Sequence, residues 1–110
     1  MPSLREKNRY IAFQIVSKKP VNSYEAKKAI WSASISFLGE LDLSKSGLMF
    51  VENCFDEKQQ KGIIKMERDY KDKMIMALAL VKTINNEDAI ISPVGVSGII
   101  DKAKSRYMEA

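Results

Sequence analysis

The hydrophobic pattern of this 110-residue chain changes period several times, and each change marks an element. Residues 9–17 alternate: Ile11, Phe13 and Ile15 fall on one side, and Tyr10, Ala12, Gln14 and Val16 on the other. Period two with β-branched and aromatic residues predicts a strand. Lys18-Lys19-Pro20 ends it, because proline has no N–H for the ladder. Asn22 and Glu25 then have capping-box spacing and predict a helix start. Ala26, Ala29, Ile30, Ala33 and Phe37 form one stripe on that helix. Tyr24, Trp31, Ile35 and Leu38 form a second, well rotated from the first, and Gly39 suits the carboxyl end.

Two runs with a polar break follow. Residues 48–55 read as a second strand, 56–62 as a turn without an apolar residue, and 63–67 as a short third strand, together a hairpin. Asp69 is placed to cap a helix over 70–84. Within it, 74–81 is eight consecutive apolar residues, too many for one exposed face and far short of the ~20 that span a bilayer. One side should therefore meet a sheet, and another a partner or a second helix. Asn85-Asn86 break the run. Residues 89–96 read as a fourth strand, in which Pro93 argues for an edge or a bulge. Ser97 can cap a last helix carrying Ile99, Ile100, Ala103 and Tyr107. Free N–H groups at such a start can also hold an anion.

The order β-α-β-β-α-β, then α, predicts an α+β chain. With right-handed crossovers it is a two-layer sandwich of the ferredoxin-like, RRM-like kind, with an extra C-terminal helix. Residues 1–110 form one domain, with 1–8 a basic tail. If Gln14, Glu52, Lys65 and Ser92 face outward, Tyr10 and Phe50 share the outer sheet face. The last helix lying across that face is the favoured arrangement.

Composition narrows the chemistry. The chain has no histidine and one cysteine, Cys54. Zinc sites, haem ligation, Ser-His-Asp catalysis and internal disulfides are outside this inventory, and the thiol usage fits a reducing, cytoplasmic setting. The first eight residues are too polar for a secretory signal. The acidic pairs Asp56-Glu57 and Glu87-Asp88 fall in predicted turns, not in a sheltered site that would shift a carboxylate for acid–base work. Asp69 and Asp72 suit a helix start.

The net charge is +4, a mild bias toward a polyanion. The third strand, Lys61-Gly62-Ile63-Ile64-Lys65-Met66, begins like an RNA-recognition strand but lacks its stacking aromatics. What remains is backbone recognition by charge. Arg9, Lys18, Lys19, Lys27, Lys28, Lys65 and Arg68 are the candidate phosphate contacts; Lys71, Lys73, Lys102, Lys104 and Arg106 are further cations near them. The candidate partner surface is Tyr24, Trp31, Ile35 and Leu38, with Ile75, Met76 and Ala79 from the apolar run. The alternative for the second stripe is contact with loops of the same domain.

Five collinear stretches resemble a known family. They are R-Y-I-A-F-Q-I (9–15), E-A-K-K-A-I-W (25–31), F-L-G-E (37–40), A-L-A-L-V-K-T-I-N (77–85) and A-I-I-S-P-V-G-V-S-G-I-I (89–100). The chain resembles protein component 2 of archaeal ribonuclease P, whose eukaryotic relatives are the Pop-five and Rpp-fourteen subunits. The resemblance implies a non-catalytic subunit of the ribonucleoprotein that removes the 5′ leader from precursor tRNA. It implies ribonuclease P RNA and protein component 3 as partners, in a two-plus-two heterotetramer. It implies no cofactor on the protein, the Mg2+ being used by the RNA, and no membrane. No RNA contact carries over residue by residue, so the basic candidates rest on charge pattern alone. Two other readings stand beside it: a free-standing single-stranded RNA-binding module, and a ferredoxin-like regulatory module that homo-oligomerises.

Overall fold

The computed structural model of the chain describes residues 7–108. Most of the expected tail therefore lies outside the described residues. The alternating stretch forms β1 (Asn8–Ser17), the centre of an antiparallel sheet. On one side it pairs with β3 (Lys61–Glu67), Asn8 opposite Glu67 and Gln14 opposite Lys61. On the other it pairs with β5 (Glu87–Ser97), Tyr10 opposite Ser97 and Ser17 opposite Ala89. Two-residue strands β2 (Met49–Phe50) and β4 (Thr83–Ile84) sit at the edges, giving the order β2-β3-β1-β5-β4. Without β4 this is the strand order of the split βαβ sandwich.

Both sheet faces carry packed elements, the outer one only in part, since Val16 and the facing Ile90 stay exposed. Ile11, Phe13 and Ile15 point to a layer made by α1 (Ser23–Ser46) and α2 (Lys71–Ala79), and pack with Ala26, Ile30, Ile64, Met66, Met74 and Leu78. The alternation of β1 sends Ala12 to the opposite face. There it packs with Ile63, Cys54 and Ala103 under a last segment, α3 (Ile100–Ala103) and a π-helical turn, Lys104–Met108. Ile100, Tyr107, Met108 and Tyr10 surround that second cluster.

Several elements differ from the sequence reading. The second strand stops at Phe50, and one 3-10 turn follows at Glu52–Cys54. A straight strand would put Phe50 and Phe55 on opposite faces. The turn shifts the register, so Phe55 joins Phe13 and Phe50 in the helix-side core while Cys54 goes to the other face. The three rings lie 5.9–6.5 Å apart, centroid to centroid. Phe50 is therefore a core residue, not an outer-face aromatic.

Gly39 leaves helical geometry at φ 82°, ψ 166°, as its placement suggested, but the chain winds on to Ser46 because Leu43 re-enters the core. Gly47, at φ 65°, is the actual left-handed cap. Along α1 the buried positions are Ala26, Ile30 and Ser34, and Leu38 packs on the same core. An i+4 progression drifts about 40° per step, so the core side migrates round the helix. Leu38 takes the core place assigned to Phe37, which is left at the rim.

α2 ends at Ala79 rather than near 84. Asn85 and Asn86 both have positive φ, 56° and 66°, and join β4 to β5 as a two-residue hairpin with Ile84 opposite Glu87. Asp69 does not cap α2; it lies 3.7 Å from the Arg68 guanidinium. Ser97 likewise caps no helix: its hydroxyl donates to Ile99 O and accepts from Ile99 N in a local turn. Pro93 sits beside a register shift against β1, the bulge its ring calls for.

Candidate nucleic-acid and partner interface

The amino end of α1 is fixed by its sequence. Asn22 Oδ1 accepts from Glu25 N at 2.8 Å, and Glu25 Oε1 accepts from Asn22 N at 3.1 Å, closing the capping box. The second Glu25 oxygen accepts from Asn85 Nδ2 at 2.8 Å, which ties the helix start to the β4–β5 turn. With Ala26 and Ile30 facing the core, Tyr24, Lys28, Trp31 and Ile35 project from the other side. Tyr24 is 68% exposed and Trp31 49%. Together with Lys27 and Ser32 they line one shallow apolar depression. Lys28 Nζ sits 6.0 Å from the Tyr24 ring centroid, a cation–π geometry. Lys27 Nζ lies 3.1 Å from Glu52 Oε2 across to the start of the 3-10 turn. Both partners are exposed, so that pair is worth about 0–1 kcal/mol.

The other residues assigned to a partner surface divide. Leu38 and Ile75 pack partly against the core cluster, so their apolar surface is already largely used. Met76 and Ala79 are exposed on α2 together with Leu80, outside the Tyr24–Trp31 depression. The apolar run 74–81 thus splits as its composition required: Met74, Ala77, Leu78 and Val81 are buried, Ile75 packs partly on the core, and Met76, Ala79 and Leu80 face outward.

The basic candidates fall in separate places. Lys18 and Lys19 follow the carboxyl end of β1 and are exposed. Arg9 is near its start, with Nη1 donating to Asn8 O at 2.8 Å, and Arg68 N donates to Lys7 O at 2.6 Å. A ten-residue strand is about 33 Å long, so these two sets occupy opposite ends of the sheet. Lys27 and Lys28 flank Trp31. Lys65 is on the outer face, opposite Tyr10 in the ladder. Lys104 and Lys58 share a groove with Asn53, Cys54 and Asp56. Only the three-dimensional fold brings those two together, since they lie on elements far apart in sequence.

The outer face offers no stacking platform where the last segment covers it. Tyr107 lies directly on Gly95, where an added Cβ would overlap the ring. Cys54 beneath is buried, and burial pushes its thiol up, with Lys104 nearby acting in the opposite, weaker sense. The Tyr70 hydroxyl is also raised, chiefly by desolvation and then by Asp42, Glu67 and Asp69. Among the described residues no three metal-binding side chains converge, and no helix is long and apolar enough to cross a membrane.

Known proteins are similar to this chain in sequence, and a solved structure is similar to it in fold. Ribonuclease P protein component 2 of Thermococcus gammatolerans is 45% identical over 107 residues, covering 97% of this chain and 88% of that protein. The protein of the same description from Pyrococcus furiosus is 42% identical with the same coverage. That from Archaeoglobus fulgidus is 34% identical over 98% of this chain and 94% of its own length. A chain in the cryo-EM structure of yeast ribonuclease MRP has the same fold, with TM-score 0.68 at 12% identity, over 84% of this chain and 75% of that one. Residues 9–108 match the Rpp14/Pop5 family, and the chain belongs to it.

Proposed function

We propose that this chain is a non-catalytic protein subunit of ribonuclease P, the ribonucleoprotein that removes the 5′ leader from precursor tRNA. The observation that carries the reading is near full-length similarity, 45% over 107 residues, to proteins described as ribonuclease P protein component 2. The phosphodiester chemistry then belongs to the RNA and its Mg2+, and the protein requires no cofactor. Its lysines neutralise phosphates without reading bases, which fits cations spread over the surface rather than gathered at one stacking face. Lys18, Lys19, Lys28 and Lys65 are the best placed, being without a carboxylate partner within 4 Å among the described residues. The second partner is protein component 3, met by the Tyr24–Trp31–Ile35 ridge of α1, in a complex of two copies each. The compartment is the cytoplasm.

The covered outer face disfavours a free-standing single-strand binder, because Tyr107, Ile100 and Ala103 occupy the place where bases would stack. Recovery of the tagged chain from its own cells tests the reading. A large structured RNA and a second protein should come with it, and both should be lost steeply as salt rises, with a slope near −0.9 in log K per phosphate neutralised on a duplex. Recovery of the chain alone, or with RNA in a salt-insensitive complex, would contradict it.

A further inference from the structure

Beside the α1 ridge lies a groove of about 560 Å³ between α1 and the short edge strand β2. Ile30 and Ile64, both buried, form its floor with Phe50; Trp31 stands on the α1 side and Leu48 on the strand side. The floor carries no side-chain donor or acceptor, so it has nothing to offer a base edge. The strand side does have main-chain groups. Val51 N donates to Ile63 O at 3.0 Å, so Val51 faces β3. Alternation turns the N–H and C=O of Phe50 the other way, to the open edge. β2 is the last strand of the sheet, so among the described residues no neighbouring strand receives them. At the groove mouth Lys27 on α1 meets Glu52 on the strand side, 3.1 Å apart and both exposed. The mouth thus holds one exposed ion pair, which an incoming carboxylate can enter by taking Lys27 from Glu52.

A helix wall, an apolar floor and an unpaired strand edge together make the geometry in which extended peptides are bound by strand addition. We propose that this groove takes an extended segment of a protein partner, added as a strand to the Phe50 edge. One apolar side chain of the segment lies over the floor between Trp31 and Leu48, and a neighbouring acidic residue takes Lys27 from Glu52. The inference rests on the reading that a protein docks on α1, and specifies how.

The test uses the isotope-labelled chain with recombinant component 3 of the same organism. Amide exchange and backbone NOEs are read residue by residue, and affinity is read by titration. In the complex, the Phe50 amide slows by about a hundredfold and shows cross-strand NOEs to the partner's main chain. Lys27→Glu weakens binding about tenfold or more, and Glu52→Gln tightens it by releasing Lys27. A complex that is weakened by Trp31→Ala but leaves Phe50 exchange unchanged overturns strand addition and leaves α1 docking intact. Absence of any complex overturns both. Slowing of Phe50 with the chain's own concentration, in the absence of component 3, shows self-pairing and overturns the heterologous segment.

Discussion

Gly62 lies in β3 opposite Phe13, and its replacement by alanine sets two effects of known sign against each other. Its φ is not in the left-handed region, so alanine is allowed there. Losing a strand glycine should by itself stabilise by about 0.5–1 kcal/mol. The added Cβ, however, would come within 2.5 Å of Phe13 Cζ and 2.9 Å of Phe55 Cδ1. Phe13 is fully buried and is held against Phe50 and Phe55, so its ring has no empty space to enter. Overpacking of this kind costs about 1–3 kcal/mol, and a clash with two rings belongs in the upper part of that range. The net expectation is a loss of about 1–2 kcal/mol. For a chain of this size that lowers the melting temperature by about 4–10 °C. Thermal and urea unfolding followed by circular dichroism measure it. An unchanged or raised midpoint would show that the aromatic trio yields cheaply and that the core at the β1–β3 crossing is loosely packed.

Trp31→Ala should weaken the protein complex by about 2 kcal/mol while leaving the free domain's unfolding midpoint nearly unchanged. Trp31 fluorescence in the free chain should be quenchable by acrylamide and become protected on adding component 3, checked over a dilution series. Asn22→Ala removes the cap acceptor for Glu25 N and should cost about 1 kcal/mol in urea unfolding. Cys54 should react with iodoacetamide more slowly than a free thiol, because burial holds it protonated to higher pH. The folded thiol binds its proton more tightly than the unfolded one. The stability it contributes is therefore full below the unfolded pKa and is lost as pH rises through the folded one. A midpoint that rises across that alkaline window in wild type but not in Cys54→Ser would contradict the assignment.

The main order of elements was legible because hydrophobic period reports it directly. Asn22 and Glu25 announced the helix start, the alternation of 9–17 gave the central strand, and Pro93 marked the bulge. What was missed has local causes. The Phe50 face was misread because straight alternation from 48 to 55 cannot show the 3-10 turn that re-aims Phe55 and Cys54. Phe37 and Leu38 exchanged roles because an i+4 stripe migrates round a helix, and a single wheel hides the drift. Asn85-Asn86 carried the signal for a two-residue hairpin, but the two strands it joins are too short to show a period. At the candidate site, Tyr24, Trp31 and Ile35 were legible as surplus apolar surface. Leu38 and Ile75 were not separable from them, since sequence alone does not say how wide the core-facing sector is. The groove at β2 depends on Leu48, Phe50 and Ile64 meeting α1, and nothing local in the sequence signals that meeting.

The most direct measurement is single-turnover cleavage of precursor tRNA by ribonuclease P RNA reconstituted with and without this chain, together with carboxylate variants. The wild-type chain should raise the rate of 5′-leader removal and cleave nothing in the absence of the RNA. Neutralising Glu25, Glu52, Glu67, Asp69 or Asp72 one at a time should leave that rate within about tenfold, or roughly 1.4 kcal/mol of barrier. A rate indifferent to the chain, or a thousandfold loss at one carboxylate with assembly intact, would contradict a supporting, non-catalytic subunit.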